Sequence, residues 1–361
     1  MSHHVEAVEI RPLVVPLKRP FQIASSRLEQ VQNIAIAVGL DSGAVGIGEI
    51  ATLFPVTADR FESALEAAEA LGDWLEDQVF EDWRSLIHAL RTQEAARSAI
   101  AAGFEMAICD AMAVEQETPL HLFFGTQQAP VMTDMTIPIC APLLCETLAR
   151  EYCHAGFSTL KLKVGLRLEQ DLAALKAIRN GHPSCRIVAD ANEGFTLQEA
   201  HHFLDELHKA NIHLNLFEQP VARRDFASLR ELQQRGDTLI AADESCRTPE
   251  DATRLAEAEC VDILNIKLAK SGVLGGLAIH KIARSSGLGL MIGGMVETRI
   301  GMGFAAHFAH GLGGFDWVDL DTPQLLAEDP VLRGTTAHGP NWNFEGSFFG
   351  HGASLEDLEL F

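Results

Sequence analysis

Three acids and three lysines draw attention by what precedes them. Asp190, Glu218 and Asp243 each close a short apolar run, in the segments Asp190-Ala191-Asn192, Glu218-Gln219-Pro220 and Asp243-Glu244-Ser245. Lys161 and Lys163 close another such run, and Lys267 closes a further one in Asn265-Ile266-Lys267. Carboxylates gathered in one place repel and raise one another's pKa unless a cation sits among them. An all-oxygen set suits Mg²⁺, with Mn²⁺ as the alternative, whereas zinc favours His or Cys. A lysine at the end of a buried run is costly unless it pairs with an acid or is used neutral. Two lysines facing one another across a metal have a chemical use. One removes a proton from a carbon next to a metal-bound carboxylate, and the other returns a proton to the opposite face. Burial and cationic neighbours bring a lysine toward a pKa useful near neutrality, and the metal stabilises the enediolate formed between the transfers. Lys161 adds positive charge to that oxyanion or depresses the pKa of Lys163.

Taken singly, each acid reads as a helix cap and each lysine as half of a structural ion pair. Their phase argues otherwise. From residue 131 onward, β-rich runs recur at Met132–Ile139, Thr159–Val164, Arg186–Asp190, Leu214–Glu218, Thr238–Asp243, Val261–Lys267, Leu288–Gly293 and Trp317–Leu320. Helical patterns fill most gaps, with Thr196-Leu-Gln-Glu199 as a capping box and Thr248-Pro249 as a second helix start. The run ends repeat about every 26 residues, which fits a (β/α)8 TIM barrel whose catalytic face lies where strands finish. An open doubly wound sheet is the alternative, but it would usually carry a Gly-rich phosphate turn after its first strand. Gly275-Gly276 and Gly293-Gly294 do not fit a nucleotide fingerprint.

Upstream the texture differs. Ile34–Leu40 and Ala44–Ile50 read as hairpin arms around Asp41-Ser42-Gly43, and Ser63–Leu75 and Ala95–Val114 read as helices. Strands first and helices after predict an α+β domain. The chain is therefore read as an α/β protein with an N-terminal α+β capping domain over 1–128, a barrel over 129–325, and a segment over 326–361 that packs back on the cap.

Composition excludes several classes. With 28 basic and 50 acidic residues the net charge is −22, which disfavours nucleic acid or an anionic membrane as partner. No apolar run spans a bilayer, and the start Met1-Ser2-His3-His4-Val5-Glu6 does not resemble a secretory signal. The 7 cysteines are scattered and expected to be reduced thiols of a cytoplasmic protein. A homo-oligomer is compatible with all of this.

The set Lys161-x-Lys163, Asp190-Ala-Asn, Glu218-Gln-Pro, Asp243-Glu-Ser and Asn265-Ile-Lys267 resembles the enolase superfamily, in its muconate-lactonizing subgroup. The resemblance covers nearly the whole chain. It implies a modified barrel whose early strands need not all run parallel, Mg²⁺ held by Asp190, Glu218 and Asp243, and Lys163 and Lys267 as the acid/base pair. Asn192, Glu244 and Asn265, beside these on the same strand ends, are expected to support them. Asp319-Leu-Asp321 at the eighth strand resembles the dipeptide epimerases, where two acids hold the substrate's α-ammonium group. A free ammonium needs an anionic partner when desolvated, whereas the doubly anionic substrates of cycloisomerases or o-succinylbenzoate synthases would be repelled. The implied activity is Mg-dependent inversion of a dipeptide α-carbon, with N-acylamino acid racemisation as the alternative. Side-chain preference is expected from the loops Lys18–Arg27 (Phe21, Ile23, Arg27) and Thr52–Val56 (Leu53, Phe54). The arginine by which Ala-Glu epimerases meet a glutamate side chain falls near Ser26 or Arg27. Glu297 after strand seven either faces the pocket or begins a helix.

Overall fold

The computed structural model describes residues 2–22, 27–54, 56–93, 97–346 and 348–356. The N-terminal part is an antiparallel sheet of β1 (His3–Gln22), β2 (Arg27–Leu40), β3 (Val45–Ile50) and the short β4 (Val79–Phe80), in the order β3-β2-β1-β4. One sheet face is covered by α1 (Phe61–Leu75), α2 (Trp83–Leu90) and α3 (Ser98–Glu115). Helix α3 is Ala-rich and buried nearly all round because it is squeezed between sheet and barrel. Gly46 and Gly48 permit this: a Cβ at either would stand 2.0 Å from backbone atoms of α3. The short α4 (Leu120–Phe124) leads into the barrel.

The barrel consists of β5 (Met135–Ile137), α5 (Pro142–His154), β6 (Thr159–Lys163), α6 (Leu168–Gly181), β7 (Arg186–Asp190), α7 (Leu197–Lys209), β8 (Leu216–Glu218), α8 (Phe226–Arg235), β9 (Leu239–Ala242), α9 (Pro249–Ala258), β10 (Ile263–Lys267), α10 (Leu268–Ser286), β11 (Gly289–Gly293), α11 (Arg299–Leu312) and β12 (Trp317–Asp319). Its 8 strands are hydrogen-bonded in sequence order, and each of the pairings is parallel. The early strands, β5 with β6 and β6 with β7, are parallel like the rest. The two edges meet where the Asp134 N–H donates to the Val318 carbonyl (2.9 Å).

Both helix starts read from the sequence are capped: Thr196 with Glu199 and Thr248 with Asp251 form capping boxes. Among the described residues no eighth barrel helix follows β12. After β12 comes a 3₁₀ turn at Thr322–Leu325, and the Asp321 side chain before it accepts no capping hydrogen bond from the turn. The regular repeat ends here because Pro323 and the tail divert the chain toward the cap. Leu326 bridges to Leu17 of β1, Gly350 bridges to Pro119, and the Gly350 carbonyl accepts from Leu120 N–H (2.8 Å).

Strand alternation divides the barrel interior by height. At the bottom, Val188, Leu216, Ala241, Ile263, Met291 and Trp317 form a small apolar plug. Two residues further along the same strands stand Asp190, Glu218, Asp243, Asn265, Gly293 and Asp319. The fold therefore puts apolar packing beneath and charge at the strand ends.

Candidate active site

Lys161, Lys163, Asp190, Glu218, Asp243, Lys267 and Asp319 are all buried at the carboxyl end of the barrel. Carboxylate oxygens of Asp190, Glu218 and Asp243 lie within 4.8 Å of one another. Lys161 Nζ sits among three acids, at 3.0 Å from Asp190 Oδ2, 2.6 Å from Glu218 Oε2 and 2.7 Å from Asp319 Oδ2. Lys163 Nζ is 2.6 Å from Asp190 Oδ2, and Lys267 Nζ is 2.8 Å from Asp243 Oδ2. β6 and β10, which carry Lys163 and Lys267, are four positions apart in an eight-stranded barrel and so face each other across it. Gly293 gives Lys267 room: a Cβ there would lie 3.0 Å from Asn265 Oδ1 and 3.2 Å from Lys267 Cε.

The neighbours orient the acids. Asn265 Nδ2 donates to Glu218 Oε1 (2.8 Å), the Asn192 N–H donates to Asp190 Oδ1 (3.0 Å), and Asn192 Nδ2 donates to Glu244 Oε1 (3.2 Å). Gln219 Oε1 accepts from both Asp243 N–H and Ser245 N–H (3.0 Å each). Lys270 Nζ clamps Asp243 through Oδ1 (2.5 Å) and its carbonyl (2.6 Å).

Charge follows this geometry. Burial raises the pKa of Asp190, but Lys161, Lys163 and Lys267 outweigh it and hold the carboxyl well below its usual range. Asp243 is likewise lowered, against burial, by Lys267 and Lys270. Glu218 goes the other way, to about 7, pushed by burial and by Asp190. Glu244 rises to about 8 through burial, Asp243 and Asp190. Burial alone would lower Lys267, yet Asp243 raises it. Among these carboxylates alone, the shift of Lys267 runs upward, opposite in direction to the one expected from cationic neighbours. The donor set fits a hard divalent cation: the three clustered groups are all carboxylates, held together by buried ammonium groups, with Lys161 meeting Asp190 and Glu218 and Lys267 meeting Asp243.

A second acidic group stands on the neighbouring strands. Asp134, Asp319 and Asp321 also bring carboxylate oxygens within 4.8 Å of one another. Asp321 Oδ2 accepts from Thr136 N–H (2.6 Å), while Asp321 Oδ1 and Asp134 Oδ1 are buried without a partner. Burial and Asp319 raise Asp321 to about 7. Burial, Asp319 and Asp321 push Asp134 well above the carboxylate range.

The cleft over these groups is lined by Phe21, Leu28, Leu53, Val56, Met295 and Val296, with Thr136, Lys163, Asn192, Lys267, Asp319 and Thr322 at its polar floor. Both cap loops contribute, through Phe21 and Leu53. Ile23 and Ser26 lie outside the described residues. Arg27 does not reach the cleft: it is exposed on β2 with its guanidinium 3.7 Å from Glu29, since alternation turns it away from its neighbour Leu28. Phe54 is 45% exposed and stacks under Arg60 instead of lining the cleft. Glu297 is buried but turned beneath the rim, where its Oε1 accepts from Met295 N–H (2.7 Å) and its carboxyl faces Glu49. Burial and the neighbouring Glu49 raise the Glu297 carboxyl to about 7.

Asp134, Lys270 and Glu49 escaped the sequence reading. Asp134 was visible as an acid inside the β-rich run Met132–Ile139, and Lys270 as the second lysine of Lys267-x-x-Lys270. Glu49 had no signal beyond being a charge at the end of an apolar strand.

Two family models account for most of the chain: "Mandelate racemase / muconate lactonizing enzyme, N-terminal domain" over residues 6–125 and "Enolase C-terminal domain-like" over 145–339. The chain belongs to the mandelate racemase/muconate lactonizing enzyme family. Within that family it is 45% identical to an L-Ala-D/L-amino acid epimerase from Populus trichocarpa, covering 98% of this chain and 85% of that protein. It is 36% identical to an aromatic dipeptide epimerase from Herpetosiphon aurantiacus, covering 98% and 100%. A dipeptide epimerase from Enterococcus faecalis V583, solved in complex with Mg and the dipeptide L-Leu-L-Tyr, superposes with a TM-score of 0.91 at 31% identity, covering 97% of this chain and 99% of that one.

Proposed function

We propose that this protein is a Mg-dependent dipeptide epimerase, an isomerase that inverts the α-carbon of one residue, most simply the C-terminal one. The observation that carries the reading is the coexistence of two anionic clusters in one cleft. One is flanked by lysines on opposite barrel walls. The other, at Asp319 and Asp321, holds a buried carboxylate oxygen with no donor. The first cluster suits a cation and the second suits an ammonium. The names of the relatives support the same activity.

In this reading Asp190, Glu218 and Asp243 hold Mg²⁺, which supplies positive charge to offset the negative charge that develops on the substrate carboxylate as the α-proton leaves. Lys163 and Lys267 stand on the two faces of the α-carbon, one Nζ taking the proton while the other delivers one. Lys267 pairs with the Asp243 carboxylate at 2.8 Å, and sharing that carboxylate with a divalent cation would leave the Lys267 amine freer to exchange a proton with the α-carbon. Asp319 and Asp321 pair with the α-ammonium, and Lys161 balances the carboxylates between the two clusters. Phe21, Leu28, Leu53, Val56, Met295 and Val296 exclude water from the reacting carbon.

The test is deuterium incorporation from D₂O into a dipeptide library, read by mass, alongside N-acetylated copies. Free dipeptides are expected to gain one deuterium with inversion. Turnover confined to the N-acetylated set would overturn the reading in favour of an N-acylamino acid racemase.

A further inference from the structure

Cys140 and Cys145 form a thiol pair that the proton-transfer chemistry leaves unused. Pro142 opens α5 behind Ala141 as the N-cap, so Cys140 precedes the cap and Cys145 is the fourth helical residue. These are the two positions that meet across a helix start in a hydrophobic staple. Here the staple is made of two sulfurs, 3.3 Å apart, and both thiols are free. Cys145 is fully buried and Cys140 half-buried, while Leu143 between them is 78% exposed. A small oxidant therefore meets Cys140 first.

Two further observations bear on reactivity and consequence. The hydrogen bond from Cys145 and the charge of Arg19 lower the Cys140 pKa, whereas the same bond and burial raise that of Cys145. One sulfur is thus the better nucleophile and the other the reserve. The pair also sits at the catalytic rim, in the loop that follows β5. The Ile139 N–H, one residue before Cys140, donates to the Gln22 carbonyl (3.1 Å), and Gln22 adjoins the cleft-lining Phe21.

We propose that Cys140 and Cys145 are a reversible thiol–disulfide modification site, oxidised by hydrogen peroxide, that braces the seat of the first cap loop. The Cys140 thiolate attacks one peroxide oxygen; the O–O bond breaks, and the departing hydroxide takes a proton to leave as water. The Cys145 sulfur then attacks the resulting sulfenic acid. The S–S bond forms as the S–O bond breaks, and the Cys145 proton leaves with the hydroxide as a second water. Two thiols are oxidised by two electrons and one peroxide is reduced to two waters. A dithiol reverses the bond by exchange.

The test uses the full chain exposed to graded peroxide, followed by thiol labelling, digestion and mass mapping. The expected product is a Cys140–Cys145 cross-link two hydrogens lighter than the thiols and recovered by dithiothreitol. In C145S, Cys140 should stop at a sulfenic acid trapped by dimedone, and C140S should form no cross-link. Both variants should keep basal turnover. The cross-link is read by mass and stands apart from the epimerase reading. Where that reading holds, oxidation should shift KM for a free dipeptide, and dithiothreitol should restore it. Oxidation of Cys140 directly to sulfinic acid with Cys145 still a free thiol would overturn the site. A cross-link with unaltered KM would overturn its coupling to the cap.

Discussion

At the residue scale the barrel mouth is a balance of buried charges, in which each lysine is defined by the acid it faces. Lys267 and Lys163 stand across the cleft on different carboxylates, so losing one leaves the other in place. Lys267→Ala should therefore abolish epimerisation but leave solvent deuterium exchange from a single substrate stereoisomer. Full inversion by this variant, followed by polarimetry or NMR in D₂O, would show the pairing to be wrong. Asp321 should be felt at the other end of the substrate. A buried charge-assisted contact to an ammonium contributes about 1.5–3 kcal/mol, or roughly ten- to a hundredfold in affinity. Asp321→Asn should raise KM for free dipeptides by about that factor and leave N-acetylated ones little changed; an equal loss for both would assign the residue to holding the barrel. Asp134 gives a different test. Its pKa is raised by burial, Asp319 and Asp321, so its contribution to stability is present at low pH and lost as pH rises through the folded-state value. Asp134→Asn keeps the shape without the charge. Its thermal midpoint should fall less than that of the parent as pH rises above the ordinary carboxylate range.

At the element scale, one tie between cap and barrel is concentrated on a single buried side chain. Glu49 at the end of β3 receives the Thr298 N–H (3.0 Å), the Thr298 hydroxyl (2.7 Å) and the Gly301 N–H (2.9 Å), which together open α11, and Asn33 Nδ2 completes the set (2.7 Å). A carboxylate fits a helix N-terminus because the first N–H groups have no intrahelical partner. Glu49→Ala strands several buried donors and should destabilise the protein by about 3 kcal/mol or more, with Glu49→Gln milder, as read from urea unfolding midpoints. This tie also shows where legibility ended. Lys163, Asp190, Glu218, Asp243 and Lys267 could be found because a strand-end period is written linearly along the chain, and burial of charge at a strand end has few explanations. Glu49 meets Thr298 across 249 residues, and no local pattern announces such a meeting. Arg27 and Leu28 differ by one register step, which decides between solvent and cleft yet depends on how the hairpin is paired. The absence of an eighth barrel helix among the described residues went unread because Pro323 begins a helix and a 3₁₀ turn equally well.

At the scale of the whole molecule, a net charge of −22 is concentrated inward as well as outward, with two buried carboxylate clusters at one barrel end. Glu218, Asp321 and Glu297 are raised to about 7 and Glu244 to about 8, by burial first and then by neighbouring acids. Each binds its proton more tightly folded than unfolded. Their stabilisation is complete below the ordinary carboxylate range and is lost as pH rises through about 7 to 8. The lowered acids Asp190 and Asp243 act only at the acidic end, so they do not offset this window. Buried His307 and His351, whose pKa values burial lowers, act in the opposite sense up to the ordinary histidine range, so the metal-free protein should lose thermal stability above it, from about pH 7 to pH 8. Mg²⁺ should reverse the trend, because it binds the ionised forms of Asp190, Glu218 and Asp243 in the folded chain alone. At a thousandfold excess over its Kd the gain is about 4 kcal/mol. Differential scanning fluorimetry across that pH range, with EDTA and with Mg²⁺, checks both arms. A metal-free Tm that rises toward pH 8, or one that Mg²⁺ leaves unmoved, would mean that the three carboxylates are neutralised by the lysines alone and that the cluster does not hold a divalent cation.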